Sequence, residues 1–324
     1  MEQHRSDSSQ GERQRQPDGE ARIAEAVRAL REGRLVILPT ETVYGLAADA
    51  SNPQAVAAVY EAKGRPSFNP LIAHVADAAA ARRIANFDPR AEALAARFWP
   101  GPLTLVMPVL DTAAVCDLAR AGLDTVAVRA PAHPLTHALL SNFGGPVVAP
   151  SANRSGRPSP TTCADAAEET GDSAAVALDG GACAIGLEST VVSLLDEARL
   201  LRPGAVTRAE IEAVIGPLAE AEADARRSPG RLARHYAPNL PVRLDAAAPE
   251  ADEAYLAFGP SPAGARVFNL SPAGDLKEAA ANLFGFLRAA DRSGASGIAV
   301  APIPHEGLGE AINDRLKRAA GFVG

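Results

Sequence analysis

KGRPSFNPLIAH, residues 63–74, closes a helix, turns sharply and opens a strand, and it gathers polar groups at the turn. The helix before it is signalled from its start: Asn52 can cap, Pro53 suits the first turn, and Val56, Val59 and Tyr60 recur at helical spacing. Pro66 stops that helix, and Asn69-Pro70 launches the apolar run that ends in His74. Lys63 and Arg65 therefore stand at a helix C-terminus, where the macrodipole favours cations, and this is one sufficient reason for them. A second reason is ligand binding. The chain uses Arg almost everywhere, and Lys63 is its first lysine, with none following until Lys277. A lone ammonium beside a turn suits a phosphate contacted as a point charge.

Helix, turn and strand recur on both sides of this stretch. Ile23 to Arg31 reads as an amphipathic helix ended by Gly33, and Leu35 to Leu38 as a buried strand running into the loop 39–46, PTETVYGL. Strand ends that open into such loops are where α/β proteins place ligands. Leu71 to Val75, Leu103 to Val109, Thr125 to Arg129 and Pro146 to Pro150 read as further strands. Helices are expected from Asp88-Pro89 to Phe98 and over His133 to Ser141 and Thr162 to Glu169. Ala175 to Leu178 adds a strand, Glu188 to Leu195 and Leu200 to Gly204 finish the first domain, and Thr207 with Glu210 forms a capping box for one more helix. After a charged, alanine-rich connector at 218–230, a smaller set alternates strands (Val242 to Leu244, Tyr255 to Phe258, Arg266 to Leu270, Ile298 to Ala301) with helices (Leu276 to Asp291, Gly309 to Ala320). That alternation predicts an α/β module with a largely parallel sheet.

With 324 residues, two domains are the default, and 47% hydrophobic content suffices for ordinary cores. No stretch approaches the roughly 20 apolar residues of a membrane helix, so no membrane association is expected. The first residues, MEQHRSDSSQGERQRQPDGE, lack the apolar segment of a secretory signal and read as a disordered tail, which makes the expected location cytoplasmic. A net charge of −7 argues against a general nucleic-acid coat, while a small anionic ligand needs only a few cations. Cys116, Cys163 and Cys183 show neither a disulfide framework nor a zinc spacing. Aromatics at 4% leave little for stacking single-stranded nucleic acid.

The common nucleotide and hydrolase motifs are missing: there is no G-x-x-x-x-G-K-[ST], no G-x-G-x-x-G after a strand, no H-E-x-x-H and no G-x-S-x-G. In their place stand loops at strand ends: Thr40 to Tyr44, Lys63 to Asn69, His74, Thr125 to Arg129, Ser151 to Ser159, Ser189-Thr190 and Arg202. Singly they are weak, because such residues are more often a turn, a cap, a core histidine or a surface charge than a ligand contact.

Their order and wording say more. PTETVYGL, KGRPSFNPLIAH, WPGPLTLV, GLDTVAVRAPAHP, APSANRSGRPSPT, GLESTVV and LLRPG together resemble the threonylcarbamoyl-AMP synthase (Sua5/YrdC) family, and SPGRLARHYAP at Ser228 to Pro238 resembles the linker of its two-domain Sua5 form. The resemblance implies an α/β fold: a YrdC-like twisted mixed sheet with flanking helices over residues 21–216, behind a tail at 1–20. A lid-like linker at 217–240 would join it to a smaller Rossmann-like α/β domain at 241–324, without fingerprint glycines for a dinucleotide.

It also implies a nucleotidyltransferase joining L-threonine, bicarbonate or CO2, and ATP into threonylcarbamoyl-AMP and pyrophosphate, for t6A37 modification of tRNA. Carried over by position, Thr42, His74, Arg129 and Thr190 would bind L-threonine, Arg129 pairing with its carboxylate. Lys63, Arg65, Asn69, Thr125, Ser151, Asn153, Ser159, Arg202 and the linker residue Tyr236 would bind ATP, with Lys63 and Arg65 catalytic in offsetting charge on the pyrophosphate. Mg²⁺ would arrive with ATP, and no protein ligand to a metal is assigned. The expected partner is a downstream threonylcarbamoyl transferase, without stable tRNA binding. Two departures stand out: Ala149 occupies a position where other members carry a threonine, and SPGRLARHYAP replaces the usual SPGMKYRHYAP while keeping Arg234, His235 and Tyr236. Carbamoyl transfer in hydrogenase maturation is a second enzymatic reading, but its larger proteins carry zinc-finger cysteines. A non-catalytic RNA-binding module is the alternative of another class, and it would need a basic surface.

Overall fold

The structure, a computed structural model, describes residues 16–219, 235–261 and 263–321. Most of the expected tail and the linker stretch from Ser228 to Arg234 lie outside the described residues. The first half runs α1 (Gln16–Arg31), β1 (Leu35–Leu38), β2 (Gly45–Asp49), α2 (Pro53–Lys63), β3 (Ile72–His74), α3 (Ala78–Ala81), α4 (Pro89–Phe98), β4 (Leu103–Pro108), β5 (Thr125–Arg129), α5 (Pro134–Phe143) and β6 (Val147–Val148). It continues through α6 (Cys163–Thr170), β7 (Ala174–Ala177), β8 (Thr190–Ser193), β9 (Arg199–Arg202) and α7 (Arg208–Ile215). Among the described residues these strands form one nine-stranded mixed sheet in the order β7-β1-β2-β6-β3-β5-β4-β8-β9.

The sheet is buried on both faces, and this explains why its strands read as unbroken apolar runs. In β1, Leu35 and Ile37 join one core with α2 and α4, while Val36 and Leu38 join another with α1 and α5. The helix ends follow their local chemistry. Asn52 Oδ1 accepts from the amides of Gln54 and Ala55, Asp88 caps α4, and Thr207 and Glu210 complete the capping box of α7. Gly64 ends α2 at φ +57°, a left-handed conformation that costs glycine nothing.

Two elements differ from expectation. The loop beginning at Pro39 is shorter than it reads, because Gly45 already opens β2, which pairs antiparallel with β1 (Leu38 opposite Gly45). Its run GLAAD carries no β-branched residue to announce a strand. The four-alanine turn α3 has only its Asp77 cap as a signal.

The second unit, β10 (Val242–Arg243), β11 (Glu253–Ala257), β12 (Val267–Asn269), α8 (Leu276–Asp291), β13 (Gly297–Val300) and α9 (Leu308–Ala319), forms a four-stranded sheet in the order β10-β13-β11-β12. Every pairing in it is parallel, as the strand and helix alternation predicts. Its core takes in three residues of the first unit and the connector, Val43, Leu187 and Tyr236, which pack with Leu283, Phe284 and Leu287 of α8.

Candidate active site

The loop after β1 is a turn tied by one hydroxyl. Thr40 Oγ1 donates to Val43 O at 2.6 Å and accepts from the amides of Thr42 and Val43 at 3.2 and 3.1 Å. Thr42 Oγ1 is thereby held 2.7 Å from Thr40 Oγ1 and accepts from Arg129 Nη1 at 2.9 Å. Arg129 ends β5, and β5 runs parallel to β3 with Arg129 opposite His74. Opposed residues of paired strands show their side chains on one face, so the arginine and the imidazole stand side by side. Arg129 is further fixed by Nε to Gly101 O at 3.1 Å and Nη2 to Glu41 Oε1 at 2.6 Å. Burial first, then Arg129, lowers the His74 pKa to about 3, so its imidazole is neutral.

Opposite this group, the end of α2 meets the loop 151–160. Lys63, nearly fully buried, donates from Nζ to Ser151 O at 2.5 Å and to Asn153 O. Burial and the neighbouring Arg65 push its pKa well down, against the pull of Glu169 and Glu188. Arg65 bridges its own turn, donating to Asn69 O at 3.3 Å and Pro70 O at 3.1 Å, and burial brings its pKa to about 10. Arg202 Nε donates to Ser189 O and Nη2 to Ser189 Oγ, both at 3.1 Å. Gly204 lets the chain turn tightly there, since an added Cβ would lie 2.4 Å from Thr190 N.

These two groups meet at one cavity of about 50 Å³, lined by Thr42, His74 and Arg129 together with Arg65, Ser151 and Arg202. His235 and Tyr236 also line it, Tyr236 at φ +63° and 1% exposed. Ala149 is part of the wall. Other expected residues stand behind the lining. Asn153 Nδ2 holds the loop through Arg154 O and Arg157 O, and Ser159 Oγ donates to Glu188. Lys63 lies beneath Ser151. Asn69 Oδ1 and Asn153 Oδ1 are buried with no hydrogen-bond partner. Thr190 Oγ1 is engaged by Val206, donating to its carbonyl at 2.7 Å and accepting from its amide at 3.0 Å. Thr125 begins β5, about 13 Å along the strand from Arg129.

Sequence reasoning passed over Glu41 and Glu188. Both sit in quoted motifs, PTETVYGL and GLESTVV, but acids attract no notice where the expected ligands are anions. Their work is to hold cations: Glu41 orients Arg129, while Glu188 receives Arg315 Nε at 2.9 Å. Glu188 is ionised despite burial because Arg315 and Arg202 hold its pKa below the usual carboxylate range.

Known proteins share this arrangement of motifs. A family model described as telomere recombination, covering Sua5, YciO and YrdC, matches residues 28–204, and one for the C-terminal domain of threonylcarbamoyl-AMP synthase matches residues 206–321. The chain belongs to the Sua5/YrdC family. Among relatives in that family, the threonylcarbamoyl-AMP synthase of Bacillus subtilis is 42% identical over 323 residues, covering 92% of this chain and 93% of the relative. The one from Pyrococcus abyssi is 41% identical over 327 residues, covering 94% and 95%. The crystal structure of P. abyssi Sua5 complexed with L-threonine superposes with a TM-score of 0.85 at 39% identity, covering 93% of this chain and 94% of that one. The two-domain α/β architecture is thus that of Sua5.

Proposed function

We propose that the chain is an L-threonylcarbamoyladenylate synthase, a cytoplasmic nucleotidyltransferase that makes threonylcarbamoyl-AMP and pyrophosphate from L-threonine, bicarbonate or CO2, and ATP. The observation that carries this reading is the one cavity lined by both Thr42, His74 and Arg129 and Arg65, Ser151 and Arg202. A guanidinium has five N–H donors. Three of Arg129's point to Gly101, Thr42 and Glu41, leaving one on each terminal nitrogen for the threonine carboxylate. The neutral His74 beside it adds no second positive charge.

On this reading the amine forms a carbamate, and a carbamate oxygen attacks the α-phosphorus of ATP. Pyrophosphate leaves toward Lys63, Arg65 and Arg202, which offset its charge. Most of the acceleration comes from positioning and charge stabilisation, with no acyl-enzyme. Among the described residues no group of three His, Cys, Asp or Glu is placed to hold a metal, and Glu188 is committed to Arg315 and Ser159. The residues therefore do not fit a protein cage for Mg²⁺, which would come bound to the triphosphate. Nucleotide sites measure roughly 300 Å³ or more. ATP entry thus requires His235 and Tyr236 to move from a cavity of about 50 Å³. The product would pass to a downstream transferase that modifies adenosine 37 of tRNA.

The test is pyrophosphate release from ATP with bicarbonate, comparing L-threonine, L-serine and no amino acid. Threonine-dependent release is the expected result. No release while ATP still binds would overturn the reading.

A further inference from the structure

The loop 151–160 leaves β6, a strand of two residues, and reaches α6 with one isolated bridge, Ser151 to Gly45, and turns between. Two buried carboxylates of the first domain hold it. Glu169 accepts from Arg154 N at 3.1 Å and Arg157 Nε at 2.8 Å, and Glu188 accepts from Ser159 Oγ. Each carboxylate is held in turn by an arginine of the C-terminal domain. Arg288 of α8 donates Nη1 to Glu169 Oε1 at 2.9 Å and Nη2 directly to Pro158 O. Arg315 of α9, with 0% of its side chain exposed, donates Nε to Glu188 Oε2 at 2.9 Å. The two arginines thus reach adjacent loop residues, Pro158 and Ser159, from a different domain.

Their own placement is set by apolar docking. Leu187, fully buried, enters the C-terminal core, and Gly186 lets α8 approach so closely that a Cβ there would lie 2.6 Å from Ala280 O. In the other half, Thr42, His74 and Arg129 are positioned by β1, β3 and β5 and by Glu41, while Val43 beside them meets the C-terminal core through apolar packing.

We infer that Arg288 and Arg315 are positioning residues that clamp the loop 151–160 from the C-terminal domain and so act on the nucleotide half of the cavity, not on the amino-acid half. This rests on the reading of loop 151–160 as part of the ATP site. A buried carboxylate that loses its cation seeks water or another partner, and the loop it holds loosens with it.

The experiment compares wild type, Arg288→Gln, Arg315→Gln and Arg315→Lys, the last keeping a charge opposite Glu188 so that a folded protein is available. In the ligand-free proteins, amide hydrogen exchange across residues 154–159 should rise about tenfold while β3 and β5 stay protected. In pyrophosphate-release kinetics, the ATP KM should rise about tenfold and the L-threonine KM stay within about twofold. Unchanged exchange in the loop, or equal rises in both KM values, overturns the clamp. If wild type releases no pyrophosphate, the proposed function falls, and the exchange measurement still decides whether the arginines hold the loop.

Discussion

Arg129→Lys keeps a positive charge beside His74 but removes the fork that reaches Gly101, Thr42 and Glu41 together. Loss of a charge-assisted hydrogen bond costs about 1.5–3 kcal/mol, so the L-threonine KM should rise at least about tenfold with the ATP KM little changed. Equal rises in both would remove Arg129 from the amino-acid half. Lys63 ties α2 to the loop carbonyls of Ser151 and Asn153, and on the proposed function its buried charge would also offset that of the phosphates. Lys63→Ala should therefore lower kcat by about a hundredfold at saturating ATP. Normal turnover would leave the lysine only its structural tie.

At the scale of elements, the turn that Thr40 closes between β1 and β2 carries the half of the cavity proposed for L-threonine. Thr40→Val deletes four hydrogen bonds to Val43 and Thr42 in a site that is only 3% exposed, at a cost of about 1–3 kcal/mol. The stability loss should appear in urea unfolding, and it should come with a weaker L-threonine KM because Thr42 and Arg129 share the turn. A stability loss without any change in KM would separate the turn from the site. The strand pair β3–β5 is the second such element, since a register slip of one residue would send His74 to the other face and break the pairing of imidazole and guanidinium.

For the whole molecule, burial of ionisable groups at the cavity and between domains makes stability depend on pH. His74 and His235 each have a pKa lowered from 6.5 to about 3, chiefly by burial. Below pH 6.5 the unfolded chain binds protons that the folded one refuses, so stability falls as pH drops through the window from 6.5 to about 3. Each histidine contributes a slope of about 1.4 kcal/mol per pH unit inside that window. Glu169 and Glu188 add a loss at lower pH, because their depressed pKa values make their contribution present above 4.5 and lost as pH falls through the folded values. Urea unfolding between about pH 7 and about pH 5 should show the slope, and His235→Gln should remove about half of the histidine part. An unchanged slope in His235→Gln would show that this imidazole is not kept neutral by the fold.

The sequence by itself determined the local structure and the family. Caps at Asn52, Asp88 and Thr207, stops at Gly64 and Pro66, and the apolar runs of β1 and β5 are consequences of near neighbours, and each appears where those residues place it. The motif order carried the expected residues as far as two strand-end clusters, and Thr42, His74, Arg65, Ser151 and Arg202 meet at one cavity. Gly45 opening β2 escaped notice because GLAAD has no local strand preference; pairing with β1 and β6 makes it one. Only the tertiary structure decided which charges belong together. Glu41 and Arg129 are 88 residues apart, and Glu188 and Arg315 are 127 apart. No spacing or periodicity links such pairs, because they are chosen by burial, where an ionised group must find an opposite charge wherever the fold brings one.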